Sequence, residues 1–71
     1  MHKKIIDVKP CLSKILKERG LTQMQFSEMC GLSQVSISRF DRSRQHLDLN
    51  LFIIAKALNL KIEDLFEVIE E

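Results

Sequence analysis

The stretch Leu21-Thr22-Gln23-Met24-Gln25-Phe26-Ser27-Glu28-Met29-Cys30-Gly31-Leu32-Ser33-Gln34-Val35-Ser36-Ile37-Ser38-Arg39-Phe40 decides the fold. It reads as a short helix, a glycine corner and a second short helix. Thr22 and Gln25 have the spacing of a capping box, in which each side chain accepts the other residue's free backbone N–H. That predicts a helix from about Gln23 to Cys30, burying Phe26, Cys30 and part of Met29. Ser27 is small enough to let a neighbouring helix cross. Gly31 ends this helix, Leu32 plugs the corner, and Ser33 caps the next helix, from about Gln34 to Asp41. In that second helix only Ile37 and Phe40 are apolar at inward spacing, while Gln34, Val35, Ser36, Ser38 and Arg39 lie off the stripe. A helix with so thin an apolar stripe is held by its neighbours and keeps its other face for use.

The flanks read as packing around this unit. Pro10 opens a first helix that runs to about Arg19, with Leu12, Ile15 and Leu16 as its stripe and Arg19 continuing the spacing. Gly20 fits the left-handed residue that ends helices. Before it, Met1 to Lys9 is a basic lead-in whose Ile5, Ile6 and Val8 favour extended backbone. It is open as a strand pairing with its symmetry mate, as an arm, or as a frayed terminus. After the central stretch, Arg42-Ser43-Arg44-Gln45-His46 is a polar, basic loop. Asp48 or Asn50 caps a fourth helix that ends near Leu58, with Leu51, Ile54, Ala55 and Leu58 at helical spacing. Phe52 and Ile53 lie off that stripe, which predicts a helix buried on more than one side. Asn59 ends it. Ile62 to about Ile69 reads as a fifth helix with Leu65, Phe66 and Ile69 apolar and Glu63 and Asp64 in its first turn, where negative charge suits the dipole. The expectation is one all-α, five-helix domain spanning residues 1–71, with a possible short N-terminal strand or arm.

Composition agrees with a small globular helical chain: 71 residues, 45% apolar and 30% charged, with 2 Gly, 1 Pro and no Trp or Tyr. So short a chain has room for one thin core, and pairing of two copies is an expected supplement. The net charge of +1 hides an uneven distribution. Residues 1–46 hold 9 Lys/Arg against 4 Asp/Glu, and residues 47–71 hold 2 against 6. A basic front and an acidic back suit a chain that meets a polyanion with one end. Cys11 and Cys30 form no metal or redox pattern and read as buried thiols compatible with a reducing cytoplasm. His2 and His46 lack ligand partners in the sequence, so neither a metal nor any other cofactor is expected. No apolar run approaches membrane-spanning length and no signal-peptide core is present, so no membrane association is expected. Paired carboxylates and nucleophile–base sets are missing, so no enzyme is expected.

Gly20-Leu21-Thr22-Gln23, Phe26-Ser27, Gly31-Leu32-Ser33-Gln34 and Ile37-Ser38-Arg39 together closely resemble the Cro/CI-type, or XRE-like, helix-turn-helix family. Behind them, Ile54-Ala55-Lys56-Ala57-Leu58-Asn59-Leu60 and Glu63-Asp64-Leu65-Phe66 resemble that family's fourth and fifth helices. The resemblance covers roughly residues 11–67, with the helix-turn-helix at about 22–41, and implies a lambda-repressor-like DNA-binding domain. It implies that Gln34, Val35 and Arg39 read base edges from the major groove. It also implies that Gln23, Ser33, Ser36, Arg42 and Arg44 hold the sugar–phosphate backbone. The chemistry fits independently: Gln pairs with adenine, Arg with guanine, and Val suits a thymine methyl. The plainer readings are solvated Gln and Ser side chains, Val35 packed on the preceding helix, and Arg42 and Arg44 in an ordinary solvated loop.

Three departures from the family pattern stand out. Leu16 occupies a position where many members have an Arg paired with an acid matching Asp41, so Asp41 faces solvent or takes another partner such as Arg19 or Arg44. Ser43 stands where a Gly is usual. The following loop is about one residue short and lacks its common Pro. The expected function is specific binding of a double-stranded, palindromic DNA operator as a homodimer, regulating transcription as a repressor in the cytoplasm. Phe66, Val68 and Ile69 on the fifth helix are the first candidates for the dimer surface, with Ile6 in the Ile5–Val8 strand second. The rival is a protein-binding module, such as an antirepressor or antitoxin, using the same fold with DNA binding secondary. Exposed Phe52, Ile53 or Val68 would favour that rival. A protein antirepressor is also a possible partner of the DNA-binding form.

Overall fold

A computed structural model describes residues 4–71, and readings of Met1, His2 and Lys3 lie outside the described residues. The order of elements is β1 (Ile5–Pro10), α1 (Leu12–Glu18), α2 (Gln23–Cys30), α3 (Gln34–Arg39), a 3-10 turn at Phe40–Arg42, α4 (Asp48–Leu58), a second 3-10 turn at Ile62–Leu65, and β2 (Phe66–Glu70). Four helices enclose one core of Leu12, Leu16, Phe26, Ile37, Phe40, Ile54, Ala55, Leu58 and Leu65, each less than 5% exposed. The inward residues read from helical spacing therefore meet as expected. The capping box at Thr22 and Gln25 is formed, and Ser33 caps α3. Gly20, Gly31 and Asn59 take left-handed φ angles of 68°, 83° and 57° at the ends of α1, α2 and α4.

The chain departs from the expected five helices at its C-terminus. Only a 3-10 turn forms at Ile62–Leu65, and Phe66–Glu70 is a strand paired antiparallel with β1. Pro10 lies opposite Phe66, Lys9 opposite Glu67, Val8 opposite Val68, Asp7 opposite Ile69 and Ile5 opposite Glu70. Ile6 is the extra residue of a bulge between Ile5 and Asp7. An isolated helix of eight residues is marginal in water. Pairing the β-branched Val68 and Ile69 with Ile5, Ile6 and Val8 instead gives the facing backbone groups of both strands their partners. Residues Ile5–Pro10 of the lead-in thus form a strand that pairs within its own chain. Pro10 closes β1 rather than opening α1, where its missing N–H leaves no gap in the ladder.

Other boundaries shift for local reasons. Leu47, not Asp48 or Asn50, precedes α4 and supplies no side-chain cap; Asp48 lies in the first turn, where its charge suits the dipole. The helix α3 stops at Arg39 and tightens into the 3-10 turn. Ser43 then takes an extended φ of −102°, so the chain leaves α3 without a left-handed residue and serine is unstrained there. Phe52 and Met29 are exposed, contrary to the expected burial, because the core is complete without them. Cys11 and Cys30 are half-buried rather than buried. Burial, with the nearby Glu67 and Asp41 carboxylates, pushes the Cys11 thiol above its ordinary range.

Asp41 pairs with neither Arg19 nor Arg44. Its Oδ1 accepts the Leu12 N–H at 2.8 Å and its Oδ2 the Ser13 N–H at 2.9 Å. Cys11, at the N-cap position of α1, has no capping side-chain bond, so a carboxylate from the 3-10 turn after α3 caps that helix instead. Leu16 fills the neighbouring core at 2% exposure. Arg19 is exposed and donates from Nη1 to the Leu58 carbonyl at 2.6 Å, tying α1 to the end of α4.

Candidate nucleic-acid interface

The geometry of this surface begins with the corner between α2 and α3. Thr22 Oγ1 accepts the Gln25 N–H at 3.0 Å, and Gln25 Oε1 accepts the Thr22 N–H at 2.9 Å. This fixes the first turn of α2, and with it Gln23. At the other end Gly31 supplies the left-handed residue, and Ser27 Oγ donates to the Leu32 carbonyl across the corner. Ser27 is therefore a tie as well as a small residue. Ile37 and Phe40 pin α3 into the core at 2% and 3% exposure. The opposite face of α3 is left to solvent.

On that face Gln23, Gln34, Val35, Ser38, Arg39 and Arg42 line one shallow groove. Five of these had been singled out from sequence. Ser38 had not, although it follows Gln34 by four residues and so shares its side of the helix. Val35 is 56% exposed and so is not packed away against α2. Ser33 accepts the Ser36 N–H at 3.1 Å and donates to Ser36 Oγ at 2.9 Å, so both hydroxyls sit at the start of α3, exposed. At about 1.5 Å per residue, the six residues of α3 span roughly 9 Å. That is the length of about three base pairs, and a groove about 12 Å wide admits such a helix.

Arg44 lies apart from this groove. Its Nη1 donates to Asp7 Oδ1 at 2.9 Å, forming an ion pair with β1. The Arg44 guanidinium, with the Val8 N–H, holds the Asp7 carboxyl below its ordinary range. Arg44, Arg42 and Lys9 line a second crevice with Val8, Pro10, Asp41 and Ser43. Arg42 lines both depressions. The loop beyond, polar and basic by composition, is pinned by His46. Its Nε2 lies 2.8 Å from the Phe40 carbonyl and its ring 4.1 Å from the Phe40 ring.

The four residues read as dimer candidates share one ribbon. Phe66 is half-buried against the core, its ring 6.0 Å from Phe40 and 5.9 Å from His46. Ile69 is half-buried, while Ile6 is 63% and Val68 44% exposed. Among the described residues no group of three His, Cys, Asp or Glu side chains could hold a metal ion. Nor, among the described residues, is any helix long and apolar enough to cross a membrane.

Two short helices set across a glycine corner, one anchored by two residues and open on a polar, cationic face, define a helix-turn-helix protein of the DNA-binding class. A family model described as helix-turn-helix matches residues 12–65, and the chain belongs to the Cro/CI-type (XRE-like) helix-turn-helix family of DNA-binding transcription regulators. No curated protein and no solved structure matches the chain.

Proposed function

We propose that the protein is a transcriptional repressor that binds a palindromic operator in double-stranded DNA as a homodimer, with α3 in the major groove. The observation that carries this is the groove that gathers Gln23, Gln34, Val35, Arg39 and Arg42 on the solvent side of a helix held by Ile37 and Phe40. Gln34, Val35 and Arg39 read base edges through an amide, a methyl surface and a guanidinium. Gln23, Ser33, Ser36, Arg42 and Arg44 grip phosphates, supplying affinity without sequence preference. Ile6, Val68 and Ile69, continuous with Ile5 and Val8 on the ribbon, carry the dimer contact, while Phe66 supports it from the core side. The chain acts as one domain, without catalysis, and meets its operator in the cytoplasm.

Selection of bound duplexes from a random DNA pool tests this reading. A recovered site with two-fold symmetry, protected over both halves in footprinting, supports it. Recovery of no consensus, with affinity insensitive to salt, overturns it. A second reading has a specific observation in its favour. Leu47, Leu49 and Phe52 are 70%, 68% and 57% exposed around the start of α4, and apolar surface of this kind marks protein contacts. A partner protein held there, an antirepressor or a toxin, would retain binding when Arg39 and Arg42 are changed to Ala. The DNA-binding form would not.

A further inference from the structure

The second crevice sits beside the proposed reading groove and shares Arg42 with it. Three cations converge there from two separate elements: Lys9 from β1, and Arg42 and Arg44 from the segment after α3. Pro10 ends the strand at this point, which keeps Lys9 next to the turn. Glu67, directly across the ladder from Lys9, is 3.8 Å from Lys14 and so is already drawn to another cation. Asp41, the acid of the crevice, spends both carboxylate oxygens on the N–H groups of Leu12 and Ser13. One carboxylate is left facing the cations. It is Asp7, bonded through Oδ1 to a single nitrogen of Arg44. The Arg44 side chain is 76% exposed, so its remaining N–H groups are open to solvent.

Resting on the DNA-binding reading, we infer that β1 is part of the nucleic-acid interface: Lys9 continues the phosphate track beyond Arg42, and Asp7 is an internal anion that holds Arg44 until a DNA phosphate takes its place. A guanidinium presents five donors and binds carboxylate and phosphate in the same manner, so the two anions compete for one group. A phosphate on Arg44 would lie well inside a Debye length of the Asp7 carboxylate, about 8–10 Å at ordinary salt, and the two would repel. Asp7 therefore lowers DNA affinity while keeping an exposed arginine in place. The bulge at Ile6 sits beside Asp7, where an extra residue re-aims the strand.

The test uses the full chain and a random-sequence duplex, because phosphate contacts are independent of sequence. Affinity is measured by anisotropy from about 50 to 200 mM salt, the range over which phosphate contacts reveal themselves in the slope. Lys9→Gln is expected to weaken binding severalfold and to reduce the slope of log K against log salt by about 0.9, one phosphate's share. Asp7→Asn is expected to tighten binding severalfold at the low-salt end. In an Arg44→Ala background the Asp7→Asn gain disappears, because no guanidinium remains to release. An Asp7→Asn variant that binds more weakly makes Asp7 a brace and overturns the competition. An equal gain with and without Arg44 makes Asp7 a distant charge and overturns it too. An unchanged slope for Lys9→Gln removes β1 from the track. Arg42→Ala separates the two levels of inference: if it weakens binding while the β1 variants change nothing, only the role of β1 falls. If it also changes nothing, the DNA reading falls with it. Thermal unfolding of each variant checks that the fold stays intact, and Lys9→Arg is expected to restore the salt slope.

Discussion

Asp41 concentrates the difference between this chain and the pattern of its family. A buried arginine at position 16 would give the acid a charged partner, but Leu16 offers none. The carboxylate turns instead to the bare N–H groups of Leu12 and Ser13 and caps α1 from another element. Removing it by Asp41→Ala leaves those donors without a partner, and loss of a cap costs about 1 kcal/mol, within a range of 0.5–2. In a domain of this size that lowers the unfolding midpoint by roughly 4–8 °C per kcal/mol. An unchanged midpoint in calorimetry would show that water serves the helix end equally well. Arg39 is proposed to act in recognition, not in stability. It is exposed, so Arg39→Ala should leave the midpoint almost unmoved while costing about 1–3 kcal/mol at one base pair and relaxing preference there. Operator selectivity that survives the change takes Arg39 out of the reading set. Asp7 adds a pH signature. Arg44 holds its carboxyl below the ordinary value, so the contribution to stability is complete above the unfolded-state pKa and is lost as pH falls through the folded one. Wild-type and Asp7→Asn unfolding midpoints should therefore differ most at neutral pH and converge in acid. The pair is exposed to solvent, which keeps the difference small. A gap that widened as the pH fell would contradict this sign.

At the scale of elements, what could be read from sequence depended on how local the cause was. The capping box, the Ser33 cap and the endings at Gly20, Gly31 and Asn59 need only neighbours in sequence, and all are present. The inward positions of α1, α2, α3 and α4 followed from helical period. Gln34, Val35 and Arg39 were legible because they lie off the short apolar stripe of α3, whereas Gln23 and Arg42 came only from the family resemblance. The ends of the chain were not legible, because each took its structure from the other across more than fifty residues. Leu65, Phe66 and Ile69 fit a helical stripe as well as a strand. Only the presence of Ile5–Pro10 as a partner decides for the ribbon. Asp41 and His46 were missed for the same reason: one caps a helix 29 residues away, and the other stacks on rings from α3's end and β2. The helical core is where the strain of a change falls hardest. Leu16 is 2% exposed among Leu12, Phe26 and Leu58, and Leu→Ala at such a site costs about 2–5 kcal/mol. Urea unfolding of Leu16→Ala should thus show a large fall in midpoint, and a loss below about 1 kcal/mol would mean that the site collapses around the gap.

Among the described residues only nine apolar side chains are buried, and the extents of 42 × 23 × 19 Å are elongated for so short a chain. A two-stranded ribbon is marginal alone, and its edges are open to further pairing. Ile5, Ile6, Val8 and Val68 are 64%, 63%, 43% and 44% exposed, so apolar surface is concentrated on the element least able to stand without support. Pairing of two ribbons would cover it and would set two copies of α3 in fixed relation. A two-fold dimer reading a palindrome needs its recognition helices about 34 Å apart, one turn of DNA, which is within reach of two protomers 42 Å long joined near one end. Val8 and Val68 lie directly opposite each other, which makes them the sharpest probe. Changing both to Thr keeps the β-branched shape, the strand preference and the charge, so neither the ribbon nor the attraction to phosphate is altered directly. In a dimer it would place four hydroxyls in an apolar contact, at about 1–3 kcal/mol for each one left without a partner. Sedimentation should therefore show self-association weakened by at least about tenfold, even if water or neighbouring groups satisfy most of those hydroxyls. Affinity for a two-half-site operator should fall with it at low protein concentration, while affinity for an isolated half-site stays the same. If wild type and the double variant sediment alike and bind the full operator alike, the ribbon is not what pairs two copies of the chain.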